Sequence, residues 1–145
     1  MSHTTEIDAV EIIDIAALKA AVNELAASGI NCQLVENAVP RAYYSDQLPQ
    51  AEYVLKLSSS DYDIGFYKRE NGKGYNTRCD FFNNKVQNVL GATRAEGEDA
   101  GMAKLGKLYQ TYAIHAATHA AVQQGYSVQR VNQPSGAVQL VVSGV

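Results

Sequence analysis

Two aspartates and an arginine lie in a predicted β-hairpin, close enough in sequence to form one site. Ile64 and Phe66 alternate with polar or small residues, which is the period-two pattern of a half-buried strand. Asn71 and Gly72 follow, and both residue types tolerate a positive φ, so we predict a two-residue type I′ turn between two strands. The turn sets the register, and the register decides which polar side chains meet.

Residues placed symmetrically about Asn71-Gly72 face each other in this hairpin. Side chains alternate between the two faces of a strand, so each pair shares a face with the pair two residues away. The predicted pairs are Ile64 with Cys79 and Phe66 with Thr77 on one face, and Asp63 with Asp80 and Gly65 with Arg78 on the other. Two carboxylates and a guanidinium are therefore expected in one exposed patch.

Three uses of this patch are open. Asp63 and Asp80 could form a general acid/base pair with split pKa values, although the sequence offers no nucleophile beside them. Arg78 could hold a phosphate or carboxylate of a ligand while Asp63 accepts from a ribose or amide group. Aromatic side chains that could stack on such a ligand are Tyr43, Tyr67 and Phe82. The simplest interpretation is a solvated pair of carboxylates that Arg78 bridges.

A second set of candidate residues lies on a long predicted helix. His115 and His119 are four residues apart and share one face, with Tyr112 on the same stripe. Zinc normally needs three or four protein ligands, and only His3 or a distant carboxylate could complete such a site, so we expect no metal. The favoured interpretation is a pair of packed histidines hydrogen-bonded to backbone or carboxylate. Alternatively, Tyr112 and His115 line a binding pocket.

Length and composition restrict the class of protein. A chain of 145 residues is expected to form one domain, residues 1–145, whose core needs no metal or disulfide. Its net charge of -3 argues against a nucleic-acid partner, and no apolar run is long enough for a membrane span. We expect a cytoplasmic protein. Cys32 and Cys79 are interpreted as buried reduced thiols, or as a disulfide if the protein meets an oxidising compartment.

Hydrophobic periodicity places the other elements around the hairpin. Asp14 is the predicted N-cap of a helix that begins at Ile15 and is ended by Gly29. Two further helices are predicted at residues 85–90 and 102–124, with a polar, mobile loop at 91–101 between them. Further strands are predicted at residues 4–12, 30–35, 53–57, 128–131 and 138–142.

This order of elements predicts an α+β fold. Consecutive strands joined by hairpins favour a mostly antiparallel sheet with two main helices on one face, and a ferredoxin-like arrangement is the simplest candidate. The other face and at least one edge of the sheet would remain open to solvent, a ligand or a partner. Because exposed edges are usually paired or covered, we also expect a homo-oligomer.

Seven short segments spread along the chain carry a family resemblance. They are Met1-Ser2-His3, Ala17-Leu18, Val39-Pro40-Arg41-Ala42-Tyr43, Tyr62-Asp63-Ile64-Gly65-Phe66, Asp80, Tyr112-Ala113-Ile114-His115 and Gln124-Gly125-Tyr126. In this order they resemble the hypothetical chloroplast frame thirty-five family, also called domain of unknown function 1257. The chain departs from the family pattern at Phe81-Phe82, where relatives tend to carry tryptophan, and in a longer stretch at residues 93–101.

The resemblance implies a small soluble protein of cyanobacteria, plastids and bacteriophages, sometimes encoded near an ATPase of the AAA class, with no activity to carry over. We expect a non-enzymatic protein that binds a small polar or nucleotide-like ligand, as a phage-encoded sequestering protein would, without a cofactor. The alternatives are a regulatory adaptor of an AAA-type ATPase and a metal-dependent enzyme that uses His115 and His119. The partner is expected to be a small molecule or a protein, not nucleic acid or a membrane. The expected ligand-binding residues are Arg41, Tyr43, Asp63, Tyr67, Arg78, Asp80, Tyr112, His115 and His119.

Overall fold

The computed structural model describes residues 4–43, 48–81, 85–91, 105–135 and 138–144, with the backbone alone for residues 4–10. The strands in these ranges are β1 (Thr4–Ile12), β2 (Cys32–Ala38), β3 (Ala51–Leu57), β4 (Ile64–Lys68), β5 (Tyr75–Asp80), β6 (Ser127–Asn132) and β7 (Val138–Ser143). The helices in the same ranges are α1 (Ile15–Ala27), α2 (Gln87–Leu90) and α3 (Gly106–Gln123). Residues 92–104, which hold most of the predicted mobile loop, lie outside the described residues, as do His3 and Phe82.

Five strands form an antiparallel sheet in the order β1-β5-β4-β3-β2, and β6 pairs with β7 in a separate two-stranded sheet. The predicted α+β fold with a mostly antiparallel sheet is confirmed. The structure does not reproduce the ferredoxin-like arrangement, which follows the order β-α-β-β-α-β, because four strands, β2 to β5, succeed α1 without a helix between them. As β1 and β2 are the two edges of the main sheet, α1 connects opposite edges.

The register of the β4–β5 hairpin is confirmed, whereas its predicted turn is wrong. The loop is longer than two residues: the N–H of Gly72 donates to the C=O of Arg69 at 3.0 Å, and Gly72 has a φ of 76°. A type I′ turn would also need a positive φ at Asn71, which does not have one. The extra loop residues are equal in number before and after Asn71-Gly72, so the predicted strand pairs are preserved. The confirmed pairs are Ile64 with Cys79, Gly65 with Arg78 and Phe66 with Thr77.

Helix α1 begins and ends where the sequence predicts. Asp14 is its N-cap, because Oδ1 accepts a hydrogen bond of 2.9 Å from the N–H of Ala17. Gly29 has a φ of 105°, a conformation that glycine adopts far more readily than other residues, and it follows the last turn of the helix. These two local signals fix the length of α1.

The main core lies between one face of the five-stranded sheet and helices α1 and α3. Leu18 of α1, Phe66 of β4 and Leu108 of α3 are fully buried in it. Burial of each such side chain contributes roughly 1.5–3 kcal/mol, so apolar packing sets the position of both helices. No helix within the described ranges is long and apolar enough to cross a lipid bilayer.

The centre of the opposite face of the main sheet, around Gly65, is covered, which corrects the expectation of an open face for this part of the sheet. Val54 pairs with Gly65 on this face and is fully buried. Pro40 lies against the sheet here, since a Cβ built on Gly65 would be 2.8 Å from Cγ of Pro40. Residues 39–43, which follow β2, therefore fold back over the sheet. This connection has no periodic pattern of apolar residues, so its path cannot be predicted from hydrophobic periodicity.

Candidate functional site

Arg41 and Asp63 form an ion pair on the covered face of the sheet. Asp63 immediately precedes β4 and is fully buried, whereas the side chain of Arg41 is 47% exposed. The guanidinium forks onto the carboxylate, with Nη2 donating to Oδ1 at 2.9 Å and Nε donating to Oδ2 at 3.0 Å. Burial alone raises the pKa of Asp63, but the bonds from Arg41 and the backbone outweigh it and hold that pKa below its usual value.

Backbone groups complete this ion pair. The N–H groups of Arg41 and Leu57 donate to the Asp63 carboxylate at 2.9 and 3.2 Å. In return, Nη2 of Arg41 donates to the C=O groups of Leu57 and Ser60 at 2.8 and 2.9 Å. The pair therefore ties residues 39–43 to the β3–β4 connection, and the cation that holds Asp63 is Arg41 rather than the predicted Arg78.

Asp80, the last residue of β5, is also fully buried, and its Oδ2 accepts a hydrogen bond of 2.7 Å from the N–H of Tyr43. The hairpin register places Asp63 and Asp80 at the same end of neighbouring strands. The predicted exposure of these carboxylates is wrong, because residues 39–43 lie over both of them. Asp63 and Asp80 thus hold residues 39–43 in place. Asp63 accepts from the side chain and the N–H of Arg41, and Asp80 accepts from the N–H of Tyr43.

Arg78 and Tyr67 are the part of the predicted patch that reaches the surface. Cζ of Arg78 lies 5.0 Å from the centroid of the Tyr67 ring, a cation–π distance. The ring also covers Gly65, where a Cβ would be 2.6 Å from Cε1 of Tyr67. The hydroxyl of Tyr67 donates to the C=O of Pro49 at 2.8 Å, and burial raises its pKa to about 12. The ring is thus fixed, and Arg78 is the charged group of this patch.

Tyr112 and His119 join α3 to the N-terminus of α1. The hydroxyl oxygen of Tyr112 accepts hydrogen bonds from the N–H groups of Ile13 and Asp14, at 2.9 and 3.0 Å. Nδ1 of His119 lies 3.1 Å from Oδ2 of Asp14, the carboxylate that caps α1. The favoured interpretation, a histidine hydrogen-bonded to a carboxylate, is confirmed for His119. Tyr112 serves the same helix junction.

His115 joins α3 to α1 and to the β6–β7 hairpin through one carboxylate. Its Nε2 lies 2.9 Å from Oε1 of Glu24, confirming the same interpretation for the second histidine. Arg130 of β6 forks onto Glu24, with Nη1 donating to Oε1 at 2.8 Å and Nη2 to Oε2 at 2.9 Å. The hydrogen bond from Arg130, helped by His115, lowers the pKa of Glu24 from 4.5 to about 2. Glu24 therefore links the hairpin to the helices.

Replacing Glu24 with Gln is expected to remove part of the acid sensitivity of the fold. The folded-state pKa of Glu24 lies below its unfolded value, so the carboxylate stabilises the protein above pH 4.5 and loses that effect as the pH falls towards 2. The Tm of the Gln variant should be lower at neutral pH and should change less across this acid range. Thermal melts would measure this, with Glu70→Gln, in the exposed β4–β5 loop, as control. Equal acid dependence of Tm in the wild type, Glu24→Gln and Glu70→Gln would contradict the stabilising role of the Glu24 carboxylate.

The two histidine rings do not share a ligand set. Their centroids lie 6.4 Å apart, and each ring contacts a different carboxylate. In the part of the chain that the structure describes, no group of three or more His, Cys, Asp and Glu side chains is arranged to hold a metal. The expected lack of a bound metal stays a prediction.

A groove of ≈ 370 Å³ between α1 and β2 is lined by polar residues outside these networks. These residues are Lys19, Asn23, Cys32, Gln33, Glu36 and Tyr53. Side chains alternate along β2, so that of Gln33 lies on the strand face opposite to those of Cys32 and Glu36. Cys32 and Tyr53 have neighbours, since Sγ of Cys32 lies 3.8 Å from the C=O of Val22 and the Tyr53 ring packs edge-on against Tyr75. The side chains of Lys19, Asn23 and Glu36 form no hydrogen bond or ion pair with another described residue. They are the polar groups of the groove that a ligand can reach without breaking an internal bond.

The sequence analysis missed this groove because each residue, taken alone, is typical of a solvated surface. Lys19 and Asn23 are four residues apart on α1, and the predicted second strand ends at residue 35, one residue before Glu36, which lies in β2. Their spacing shows that Lys19 and Asn23 share a helix face. It does not show which strand that face meets, because hydrophobic periodicity carries no information on strand order. The signal in the sequence that could have indicated the groove was the presence of two polar residues, Lys19 and Asn23, next to buried Val22 on α1.

Comparison with protein families gives one match. A family model described as "Protein of unknown function (DUF1257)" matches residues 24–141, from the second half of α1 to β7. No curated protein and no solved structure matches the chain. The match includes the Arg41–Asp63 pair, β2 and both histidines of α3. Because it spans most of the 145 residues, the chain belongs to the DUF1257 family, the one its sequence resembles.

Proposed function

We propose that the protein is a non-enzymatic binding protein that holds a small polar or nucleotide-like ligand in the α1–β2 groove. The observation that carries this proposal is the convergence of three polar side chains without internal partners among the described residues, Lys19, Asn23 and Glu36. The groove volume of ≈ 370 Å³ is within the range of small-molecule sites, which is about 300–1,000 Å³.

The groove offers complementary chemistry along its length. The ammonium of Lys19 can pair with a phosphate or carboxylate, and the carboxylate of Glu36 can accept from an amine or a ribose hydroxyl. The amide of Asn23 both donates and accepts hydrogen bonds. Val22 and Leu34 supply apolar surface between them. A ligand with one anionic end and several donors satisfies this set better than an apolar one.

The chemistry of the groove favours binding over catalysis. Cys32 is its thiol, and burial raises the pKa of that thiol, which keeps it protonated and a poor nucleophile. The buried carboxylates of Asp63 and Asp80 accept hydrogen bonds from residues 39–43. We place this binding function in the cytoplasm, where a phage-encoded member of the family could sequester a small molecule.

Native mass spectrometry of protein purified from its natural host tests the proposal first, because a retained ligand would appear as added mass. The released compound would then be titrated into ligand-free protein by calorimetry. Without a retained compound, adenosine monophosphate and inorganic phosphate would serve as probes in amide chemical-shift titrations. Shifts should concentrate at Lys19, Asn23 and residues 32–36. No added mass together with no shifts in the groove would refute the proposal.

Replacing Lys19 with Ala is expected to weaken binding of the retained ligand, or of the phosphate probe, by about tenfold, because a charge-assisted hydrogen bond contributes about 1.5–3 kcal/mol. Lys19 is exposed and makes no internal ion pair among the described residues, so the fold should be unaffected. Arg78→Ala is the matched control, since it removes one cation from the opposite face. A loss of affinity on Arg78→Ala alone would instead place the ligand at the patch predicted from the sequence.

A further inference from the structure

β2 is an edge of the main sheet, and its free side carries backbone groups in a regular pattern. The N–H of Ser58 donates to the C=O of Asn31 at 3.0 Å, which marks this as a hydrogen-bonded pair of the β2–β3 ladder. In an antiparallel ladder every second residue makes such bonds, so the backbone groups of Cys32, Leu34 and Glu36 point away from β3. Within the described ranges, none of these groups has a partner.

The two edges of the sheet differ in how they resist pairing with another strand. The register of β1 against β5 shifts between Ile7 and Ile12, an irregularity that disturbs a free edge. β2 pairs regularly with β3 from Cys32 to Glu36 and contains neither Lys nor Pro, the residues that most often block edges. Among the described residues, β2 is therefore the edge of this sheet that is open to an added strand.

The surroundings of β2 leave room for such a strand. On the helix side, the α1–β2 groove separates the strand from the helix. On the other side, residues 39–43 run inward over Gly65 and Asp63, away from the edge. In the part of the chain that the structure describes, neither of these neighbours forms a hydrogen bond with the outward backbone groups of β2.

We propose that β2 pairs antiparallel with β2 of a second copy of the chain, about a two-fold axis at Leu34, so that two main sheets form one continuous sheet. Leu34 then faces its own copy, Gln33 faces Val35, and Cys32 faces Glu36. The pairing keeps all outward backbone groups in register and sets no like charges opposite each other.

This self-complementarity is the reason to assign the edge to a second copy rather than to a foreign strand. Two-fold dimers are the commonest protein oligomers, and their interfaces use the same surface twice, as this one would. The dimer does not require a ligand in the α1–β2 groove. It would place the second copy along the open side of that groove.

Cysteine cross-linking tests the pairing directly. In a Cys32→Ser background, where the remaining thiol of Cys79 is fully buried, Leu34→Cys places two thiols opposite each other across the axis. The Cα atoms of a directly opposed, hydrogen-bonded pair lie about 5.5 Å apart, which is within the Cα spacing of a disulfide, whereas the diagonal spacing is about 7–8 Å. Mild oxidation should therefore convert most of the Leu34→Cys protein, and little of the Val35→Cys control, into a covalent dimer.

A second pair of variants tests the dimer through its dissociation constant, without cross-linking. This test does not depend on whether Leu34→Cys folds. Pro at position 36 removes an outward N–H and no bond to β3, so Glu36→Pro should raise the dimer dissociation constant at least about tenfold. Glu36→Ala, which keeps the N–H, should leave it nearly unchanged. Sedimentation across a series of concentrations would measure both, with circular dichroism as the test of folding.

The expected result is a reversible dimer that Glu36→Pro weakens and that Leu34→Cys cross-links. A protein that stays monomeric at every concentration would overturn the proposal. So would a dimer that neither cross-links at Leu34 nor responds to Glu36→Pro, since another surface or another partner would then be involved. Cross-linking of Val35→Cys instead of Leu34→Cys would overturn the axis at Leu34.

Discussion

Replacing Arg41 with Ala is expected to lower the free energy of unfolding at neutral pH by about 3–5 kcal/mol. The change removes the cation from a carboxylate that is fully buried, because Asp63 lies beneath residues 39–43. Lys56 is the nearest other cation, and its Nζ lies 3.9 Å from Oδ2 of Asp63, too far for a direct hydrogen bond. Urea denaturation of the purified variant measures the loss.

Arg78→Ala is the matched control, because it also removes an arginine near this face of the sheet. Arg78 lies over the Tyr67 ring and, among the described residues, forms no ion pair with a buried carboxylate, so its loss should cost about 0–1 kcal/mol. Equal losses for the two variants would mean that Asp63 does not depend on Arg41.

The pH dependence of the Arg41→Ala effect separates loss of the ion pair from loss of packing. In the wild-type protein the pKa of Asp63 is lowered, so the carboxylate stabilises the fold above its unfolded pKa and loses that effect as the pH falls. Without Arg41, burial would raise the pKa of Asp63. Protonation of Asp63 at lower pH would then remove the cost of an unpaired buried charge in the variant. The difference in stability between wild type and variant should therefore shrink from neutral pH to about pH 4. A constant difference would indicate packing alone.

Local signals in the sequence were sufficient to predict the ends of α1, the position of β4 and the register of the β4–β5 hairpin. The Asp14 cap and Gly29 fix the ends of α1, and the alternation around Ile64 and Phe66 identifies β4. The hairpin register was predicted correctly although the turn type was wrong. Residues placed symmetrically about Asn71 and Gly72 pair in either kind of loop.

The surroundings of the charged residues could not be predicted in the same way. A charged residue beside a strand is normally solvated, and Asp63 was assigned to an exposed patch on that basis. Its partner Arg41 lies 22 residues earlier in a segment without periodicity, so only the folded chain shows that they meet. The same is true of Lys19 and Glu36, whose shared groove depends on β2 being the strand next to α1.

Replacing Tyr112 with Phe is expected to lower the free energy of unfolding by about 1–3 kcal/mol, through the loss of one oxygen atom. That oxygen accepts two part-buried hydrogen bonds, from the N–H groups of Ile13 and Asp14, and each bond lost costs about 0.5–1.5 kcal/mol. Tyr112 itself is 6% exposed, so water has little access to replace the hydroxyl. Urea denaturation would measure the loss, and hydrogen exchange at the Ile13 and Asp14 amides should become faster.

Tyr126→Phe is the control for this change, because Tyr126 is 42% exposed and its hydroxyl has no hydrogen-bond partner among the described residues. Its stability should match that of the wild type. If Tyr112→Phe also left stability and amide exchange unchanged, the junction between α3 and the start of α1 would rest on apolar packing and on the His119–Asp14 contact alone. A loss confined to Tyr112→Phe would show that α3 supplies the acceptor for the two N–H groups that precede α1, and that α1 depends on α3 for its N-terminal end.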